Sequence, residues 1–424
     1  MFMEQTAKKL FNRDFSLLVF GQIMSIFGNM ILSFALPLYI LDISESAALY
    51  GFVLAVPYVS LILISPFGGI IADRLRKQRV MFWLDSATTV LIVLYMVAND
   101  LFAAAVPLVI VKLLALNTIQ GIYIPTVQAS VPVLVPEEKL VSANSITSMI
   151  NMFSSMAGMA LAGILYERFG LFPILAVSAV AFAFTAVMDL LIRIPYKKQE
   201  SSGGVINMVK SDISMSLKFV FNENPILFKC GIIIFFMSFT LSSMLLVGVP
   251  VLITQNLGFG MDFAGYSSSF MMLGGLIGGI TAGVLGNRLN IKKAPLLLLI
   301  SGVVTIPIGL VFLFDMPNFT KYVIITAATA LTLAAMQMAQ IQFLSFVQME
   351  LPTELLGKVI SLISILPFIS NALGSLTYGV LFGQFEELPW VVIFGTVVAS
   401  VTVAVYSYSQ FRGISVNAPP KNSA

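Results

Sequence analysis

One lysine interrupts a long apolar run. Lys112 sits about eleven residues into the stretch 102–124. At about 1.5 Å per helical residue it lies ~16 Å in, near the middle of a bilayer. A cation at that depth costs ~2.5–3.5 kcal/mol even on permissive insertion scales. A water-filled cavity, a buried acid or an anionic substrate group would offset the cost, so Lys112 is expected to contact substrate or gate its site. The plainer alternative is a lysine that snorkels or forms a structural pair. Asp85 lies about one turn inside the next run upstream and could pair with Lys112, pair with a basic loop, or carry a proton. Asp189 and Arg193 are four residues apart, which suits an ion pair on one helix face. Asp73 stands among basic neighbours (Arg74, Arg76, Lys77, Arg79) at the end of an apolar run. A carboxylate there suits the N-terminal end of the helix that begins near Gly357, where free N–H groups and the helix dipole favour an anion by ~0.3–1 kcal/mol.

Much chemistry is excluded by what the chain lacks. It has no histidine and a single cysteine, Cys230. A histidine proton relay, a disulfide framework and a thiolate metal cluster are therefore ruled out. No phosphate-binding loop of the Gly-x-x-x-x-Gly-Lys-Ser/Thr type occurs. An enzyme is not expected, and neither is a cofactor or metal. The neutral polar residues inside apolar runs are the remaining binding candidates: Gln22 and Asn29, Asn117 and Gln120, Ser238 and Thr240, Gln337 and Gln340. Asn144, Thr147, Asn151, Ser154 and Gly158 recur at helical spacing and read as a packing face. Gly275-x-x-x-Gly279-x-x-x-Gly283 reads as a small-residue stripe for close helix contact.

These residues need elements to hold them, and the composition says which. Of 424 residues 58% are hydrophobic and 10% charged, with a mean hydropathy of +0.97. Soluble proteins carry about one quarter charged residues. The fold class expected is an all-α membrane protein with twelve transmembrane helices. The apolar runs are 15–41, 47–72, 80–98, 102–124, 141–165, 171–194, 227–253, 263–286, 294–314, 321–345, 357–382 and 389–409. With the N-terminus inside, 20 of the 23 Lys and Arg residues fall in inside segments. Only Arg168 and Lys321 fall outside, and Lys112 is within a run. By the positive-inside rule both termini are cytoplasmic, in a multi-pass cell-membrane protein.

The longest connection, 195–225, starts polar and turns amphipathic (Val205, Ile206, Met208, Val209, Ile213, Met215, Leu217, Val220). It is expected to hold a helix lying along the inner membrane surface. It separates an N-terminal six-helix bundle, 1–194, from a C-terminal one, 226–424. The halves repeat at an offset of about 215 residues. Gly69-Ile-Ile-Ala-Asp73-Arg74-Leu75 matches Gly283-Val-Leu-Gly-Asn287-Arg288-Leu289, and Gly158 and Gly163 match Gly374 and Gly379. Two similar bundles can rock about a central site and open it to each side in turn.

Gly69-x-x-x-Asp73-Arg74 with Arg76, the twelve runs and the repeat resemble the major facilitator superfamily across nearly the whole chain. The segment from Pro125 to Asn144, with Pro132, Pro136, Glu137, Glu138 and Lys139, is similar to the branch of macrolide-efflux proteins and siderophore exporters. Gly21-Gln22-x-x-Ser25-x-x-Gly28 and Asp85 fit that branch too. The resemblance implies two pseudo-symmetric six-helix bundles in the major facilitator fold. It also implies a conformational latch at Gly69, Asp73, Arg74 and Arg76, and a small-molecule substrate contacted from span 4. The chain departs from the pattern at Arg76, Asn29, Asn117-Thr-Ile-Gln120-Gly121 and Gly158-Met159, where relatives carry groups tied to proton–drug exchange. The function implied is export of an amphipathic or drug-like molecule (multidrug or macrolide efflux) by alternating access. An ion gradient would drive it, with protons as the default coupling ion of an antiporter and Asp85 as the candidate coupling group. The alternative is a uniporter or importer of an anionic or zwitterionic metabolite, with Lys112 as counter-charge, and after it a membrane scaffold or sensor. Partners are membrane lipids and the substrate, with no nucleic acid, and the protein is expected to be a monomer.

Overall fold

The computed structural model describes residues 10–101, 105–195, 214–215, 217–285, 291–351 and 353–412. Among the described residues twelve helices are long and apolar enough to cross a membrane, and there is no strand. The first six are α1 (Arg13–Ser44), α2 (Ala47–Arg74), α3 (Lys77–Leu101), α4 (Ala105–Leu134), α5 (Leu140–Phe169) and α6 (Leu171–Leu191). Then come α7 (Pro225–Asn256), α8 (Met261–Leu285), α9 (Ile291–Leu310), α10 (Asn318–Glu350), α11 (Thr353–Gln384) and α12 (Pro389–Phe411). Their outward faces are apolar: Leu63, Trp83, Val111, Val180, Val284 and Val398 are all exposed. A bilayer rather than water is the solvent for such a surface.

The boundaries follow local chemistry. Pro225 and Pro389 open α7 and α12 at the first helical position, where a missing N–H costs nothing. Gly170, at φ 72°, makes the turn between α5 and α6 in the left-handed region that glycine tolerates. Asn12 caps α1 by accepting from the Phe15 N–H at 2.8 Å, and its own amide donates to the Leu134 carbonyl at 2.6 Å. That one side chain joins the start of α1 to the end of α4.

The largest departure from the sequence expectation is α4. The apolar run ends at 124, before Pro125, but the helix continues through Pro125 and Pro132 to Leu134. Pro125 cannot donate to the Gly121 carbonyl one turn back. Gly68 of α2 lies so close to that carbonyl that no side chain would fit between them. The backbone C–H of Gly68 thus faces the acceptor that the proline leaves without its helical partner. The middle of α4 therefore falls near Ile119 and Gln120, not at Lys112. Lys112 lies ~11 Å from the Ala105 end and ~33 Å from the Leu134 end.

The chain forms two compact units, Met1–Ser44 with Val56–Val205, and Glu45–Ala55 with Ile206–Ala424. The first turns of α2 thus group with the second unit, where Gly51 lies against Gly379 of α11. In the first unit α1 packs on α5 and α6, and α3 packs on α4 and α6. In the second, α7 packs on α11 and α12, and α9 packs on α10 and α12. The same pairs recur after a shift of six helices, as a sequence repeat requires. Gly158 of α5 sits against Met30 of α1, and its repeat partner Gly374 of α11 sits against Ser243 of α7.

Of the amphipathic connection, 196–213 lie outside the described residues. Met215 and Leu217 are exposed and Val220 is buried, and Phe219–Glu223 form a single π-helical turn. Two further π turns, Ser238–Ser242 and Leu252–Asn256, widen α7. Close packing of α8 is one residue out of register with the glycine stripe expected for it. Gly274 and Gly278 meet the backbone of α10 at Ala330 and Ala334. Gly275 touches Leu333 and Gly279 is near Gln337, while Gly283 is exposed with nothing against it. The α8–α10 packing therefore centres on the 274/278 face, and the stripe expected from Gly275 onward drifts off it at its far end.

Candidate functional site

The first unit contains a cavity of about 430 Å³. Three helices wall it. α1 contributes Gln22, Ile26, Asn29 and Met30. α4 contributes Gln120, Tyr123, Ile124, Val127, Gln128 and Val131. α5 contributes Asn144, Thr147, Ser148 and Asn151. None of these side chains is charged. The spacing explains the wall on α1, where Gln22, Ile26 and Asn29 recur every three or four residues and share one face. The α4 wall exists because that helix runs on past Pro125, since four of its six lining residues are 124 or later.

The polar groups of the wall are unequally satisfied. Oε1 of Gln22 and Oδ1 of Asn29 are buried and make no hydrogen bond within the described residues. Asn151 donates to the Thr147 carbonyl at 2.9 Å, and the Thr147 hydroxyl donates to the Asn144 carbonyl at 3.0 Å. The cavity thus pairs apolar surface with amide and hydroxyl side chains, and two amide oxygens of α1 are buried at its wall without a partner among the described residues. That is the composition of a pocket for an uncharged or amphipathic organic ligand, in the ordinary size range of small-molecule sites.

Of the binding candidates read from sequence, Gln22, Asn29 and Gln120 come together here. Asn117 does not, since its amide donates to the Leu113 carbonyl of its own helix at 2.9 Å. Gln337 and Gln340 belong to the second unit, the first half-buried over Gly279 and the second exposed. The α5 face that reads as packing divides. Asn144, Thr147 and Asn151 line the cavity, while Ser154, Gly158 and Gly163 are buried. Tyr123 and Gln128 are wall residues that sequence reasoning misses, although Tyr123 is three residues beyond Gln120 and so on the same face. The side chains of Gly69, Asp73 and Arg74 lie outside the described ones. Arg76 is exposed, immediately before α3, and is not part of the cavity.

Lys112 is buried, at 5% exposure, beside Val111 at 64%, so it points inward and does not snorkel. Its Nζ lies 4.2 Å from the centre of the Tyr95 ring and has no hydrogen-bond partner among the described residues. A cation over an aromatic face gains ~0.5–2 kcal/mol, the more so when desolvated. Lys112 is not in the cavity wall. The pairing of Asp85 with Lys112 is therefore replaced by a ring contact. The Asp189–Arg193 pair also fails. Asp189 is buried and faces Asp85, while Arg193 is exposed and its backbone N–H donates to Asp14 at 3.1 Å. The helix ends at Leu191, so Arg193 no longer follows the i, i+4 geometry on which that pairing depended.

A helical membrane protein of two similarly packed six-helix units, with an uncharged ligand-sized cavity inside one of them, has the build of a small-molecule transporter. The family model of the Major Facilitator Superfamily matches residues 18–375, and the chain belongs to that superfamily. Macrolide efflux protein A of Streptococcus pyogenes is 20% identical over 409 residues, covering 93% of this chain and 96% of the relative. Among solved structures, the nucleoside transporter NupG overlays with a TM-score of 0.71 at 14% identity, covering 94% of this chain and 100% of NupG. A bacterial homologue of the iron transporter ferroportin, in an inward-facing state, gives 0.72 at 15% identity over 94% and 98% of the two chains. The protein is thus a multi-pass membrane transporter and not an enzyme.

Proposed function

We infer that the protein exports an amphipathic, drug-like organic molecule by alternating access, driven by an ion gradient. The uncharged cavity between α1, α4 and α5 carries this reading. Its apolar surface, uncharged polar side chains and ~430 Å³ suit a ligand that partitions into membranes and needs few polar contacts for recognition. The similarity to a macrolide efflux protein supports efflux as the direction and macrolides as the first class to test. The excess of Lys and Arg in alternate connections supports cytoplasmic termini and residence in the cell membrane. An anionic substrate held by Lys112 has less support, because that ammonium lies against a ring outside the cavity wall.

The test is accumulation of a radiolabelled macrolide, and of a smaller amphipathic dye, in a drug-sensitive bacterial host expressing the chain. Lower accumulation than in the empty host is expected, with partial reversal in Gln120→Ala. Unchanged or raised accumulation of both probes at normal membrane expression overturns the export reading.

A further inference from the structure

The buried carboxyl pair plays no part in the cavity's polarity, yet it sits directly behind the wall. Asp85 of α3 is fully buried and Asp189 of α6 is 1% exposed. They face one another, and Ser25 of α1 and Tyr123 of α4 are turned toward Asp85. Both carboxyl oxygens of Asp85, Oδ2 of Asp189 and the Ser25 hydroxyl are buried without a hydrogen bond of ordinary geometry. Oxygens from four helices thus converge on one place.

Among the described residues, the titratable groups facing Asp85 are Asp189 from α6 and Tyr123 from α4, and α1 presents only the Ser25 hydroxyl. Asp189 is faced by Asp85 and, across the same gap, by Tyr123. Among the described residues no cation faces either carboxyl. Lys112 is engaged by Tyr95, and Arg193 is exposed. Two carboxylates cannot both stay charged at close quarters in a desolvated site without a counter-ion. The smallest cation that resolves the conflict is a proton, held as an O–H···O⁻ bridge, a short and strong charge-assisted bond. Tyr123 belongs to both places, because it also lines the cavity.

We propose that Asp85 and Asp189 share an exchangeable proton and form the ion-coupling site, with Tyr123 linking its occupancy to that of the cavity. On release, the carboxylic O–H bond breaks, the proton passes to water to give hydronium, and the electron pair stays on the carboxylate. Loading is the reverse. A ligand against Tyr123 shifts that residue's hydroxyl relative to Asp85 and so biases which state is held. Spans 1, 4, 7 and 10 carry no mid-membrane acid, so the pair on α3 and α6 has no competitor in those spans. The link to the cavity rests on the export reading above, whereas the shared proton does not.

The experiment is infrared spectroscopy of the purified full-length protein in lipid nanodiscs, which needs no transported substrate. At neutral pH a neutral-carboxyl C=O band is expected that shifts in heavy water and is lost in the Asp85→Asn/Asp189→Asn double variant. Ser25→Ala, a milder change, is expected to move the band without removing it. Erythromycin as probe is expected to alter the band in the wild type and not in Tyr123→Phe. The shared proton is overturned by absence of the band at neutral pH, by its persistence in the folded double variant, or by indifference to Ser25→Ala. Loss of the band on adding NaCl at constant pH would mark a sodium site and overturns it too. A band that is present but blind to the macrolide, in a protein that still exports it, refutes the linkage alone.

Discussion

Gln22→Met separates what the cavity does for binding from what it costs in stability. Gln22 is 7% exposed, and its Oε1 is buried with no hydrogen bond within the described residues. A buried acceptor left unsatisfied costs ~1–3 kcal/mol. Methionine keeps the length and flexibility of the side chain and removes the orphan acceptor. The first unit should gain about 1–3 kcal/mol on these figures. For a unit of about 200 residues, each kcal/mol is worth roughly 2–4 °C in Tm, so a rise of about 2–12 °C is expected. The ligand loses one neutral hydrogen bond, ~0.5–1.5 kcal/mol. That is up to about tenfold in affinity. The assay pairs calorimetric melting of the purified protein with macrolide binding followed by ligand-induced stabilisation. Asn117→Leu is the control, because its amide is satisfied by the Leu113 carbonyl outside the cavity, and it should neither raise Tm nor weaken binding. A fall in Tm for Gln22→Met, with binding intact, would refute the reasoning, since Gln22 would then be a satisfied structural residue.

Three further substitutions probe packing and charge. In Gly278→Val the new Cβ would stand 2.7 Å from the Cα of Ala334, so overpacking should cost ~1–3 kcal/mol or more. Gly283→Ala, with nothing within 4 Å, should leave the melting temperature unchanged or raised, and the two melts side by side check the packing register. For Lys112→Met, Tyr95 returns only ~0.5–2 kcal/mol, against a cost of several kcal/mol for a buried cation with no counter-ion. Wild-type or higher Tm and retained macrolide efflux are expected, whereas loss of efflux at unchanged Tm would restore Lys112 to the substrate path.

Twelve spans, their repeat and the superfamily were legible because they rest on local quantities. A run of ~20 apolar residues must be helical in lipid, where each backbone polar group needs an internal partner. Charge placement and the recurrence of Gly158 as Gly374 are likewise properties of the chain order. Gln22, Asn29 and Gln120 were legible as candidates because a polar side chain in an apolar run needs a reason to be there. The end of α4 was not legible. Proline ordinarily closes a helix, yet this one runs on through Pro125 and Pro132, with Gly68 packed on the Gly121 carbonyl that Pro125 leaves without its helical partner. That continuation decides the rest of the α4 wall and moves Lys112 away from mid-helix.

The partners of the buried charges were the other thing the sequence could not decide. Asp189 and Arg193 have ion-pair spacing, and Asp85 and Lys112 have opposite signs on neighbouring helices. Tertiary packing turned Asp189 toward Asp85 and set Lys112 over Tyr95. Spacing along a chain fixes which residues share a helix face. Which faces meet depends on how α1, α3, α4 and α6 rotate and slide to bury their small and bulky side chains together. The sequence by itself determined a helical membrane transporter of two repeated halves, because apolar length and charge asymmetry act segment by segment. Only the tertiary structure decided which of its few polar groups line a cavity and which are left facing one another inside the bundle, because that contact free energy exists only between segments.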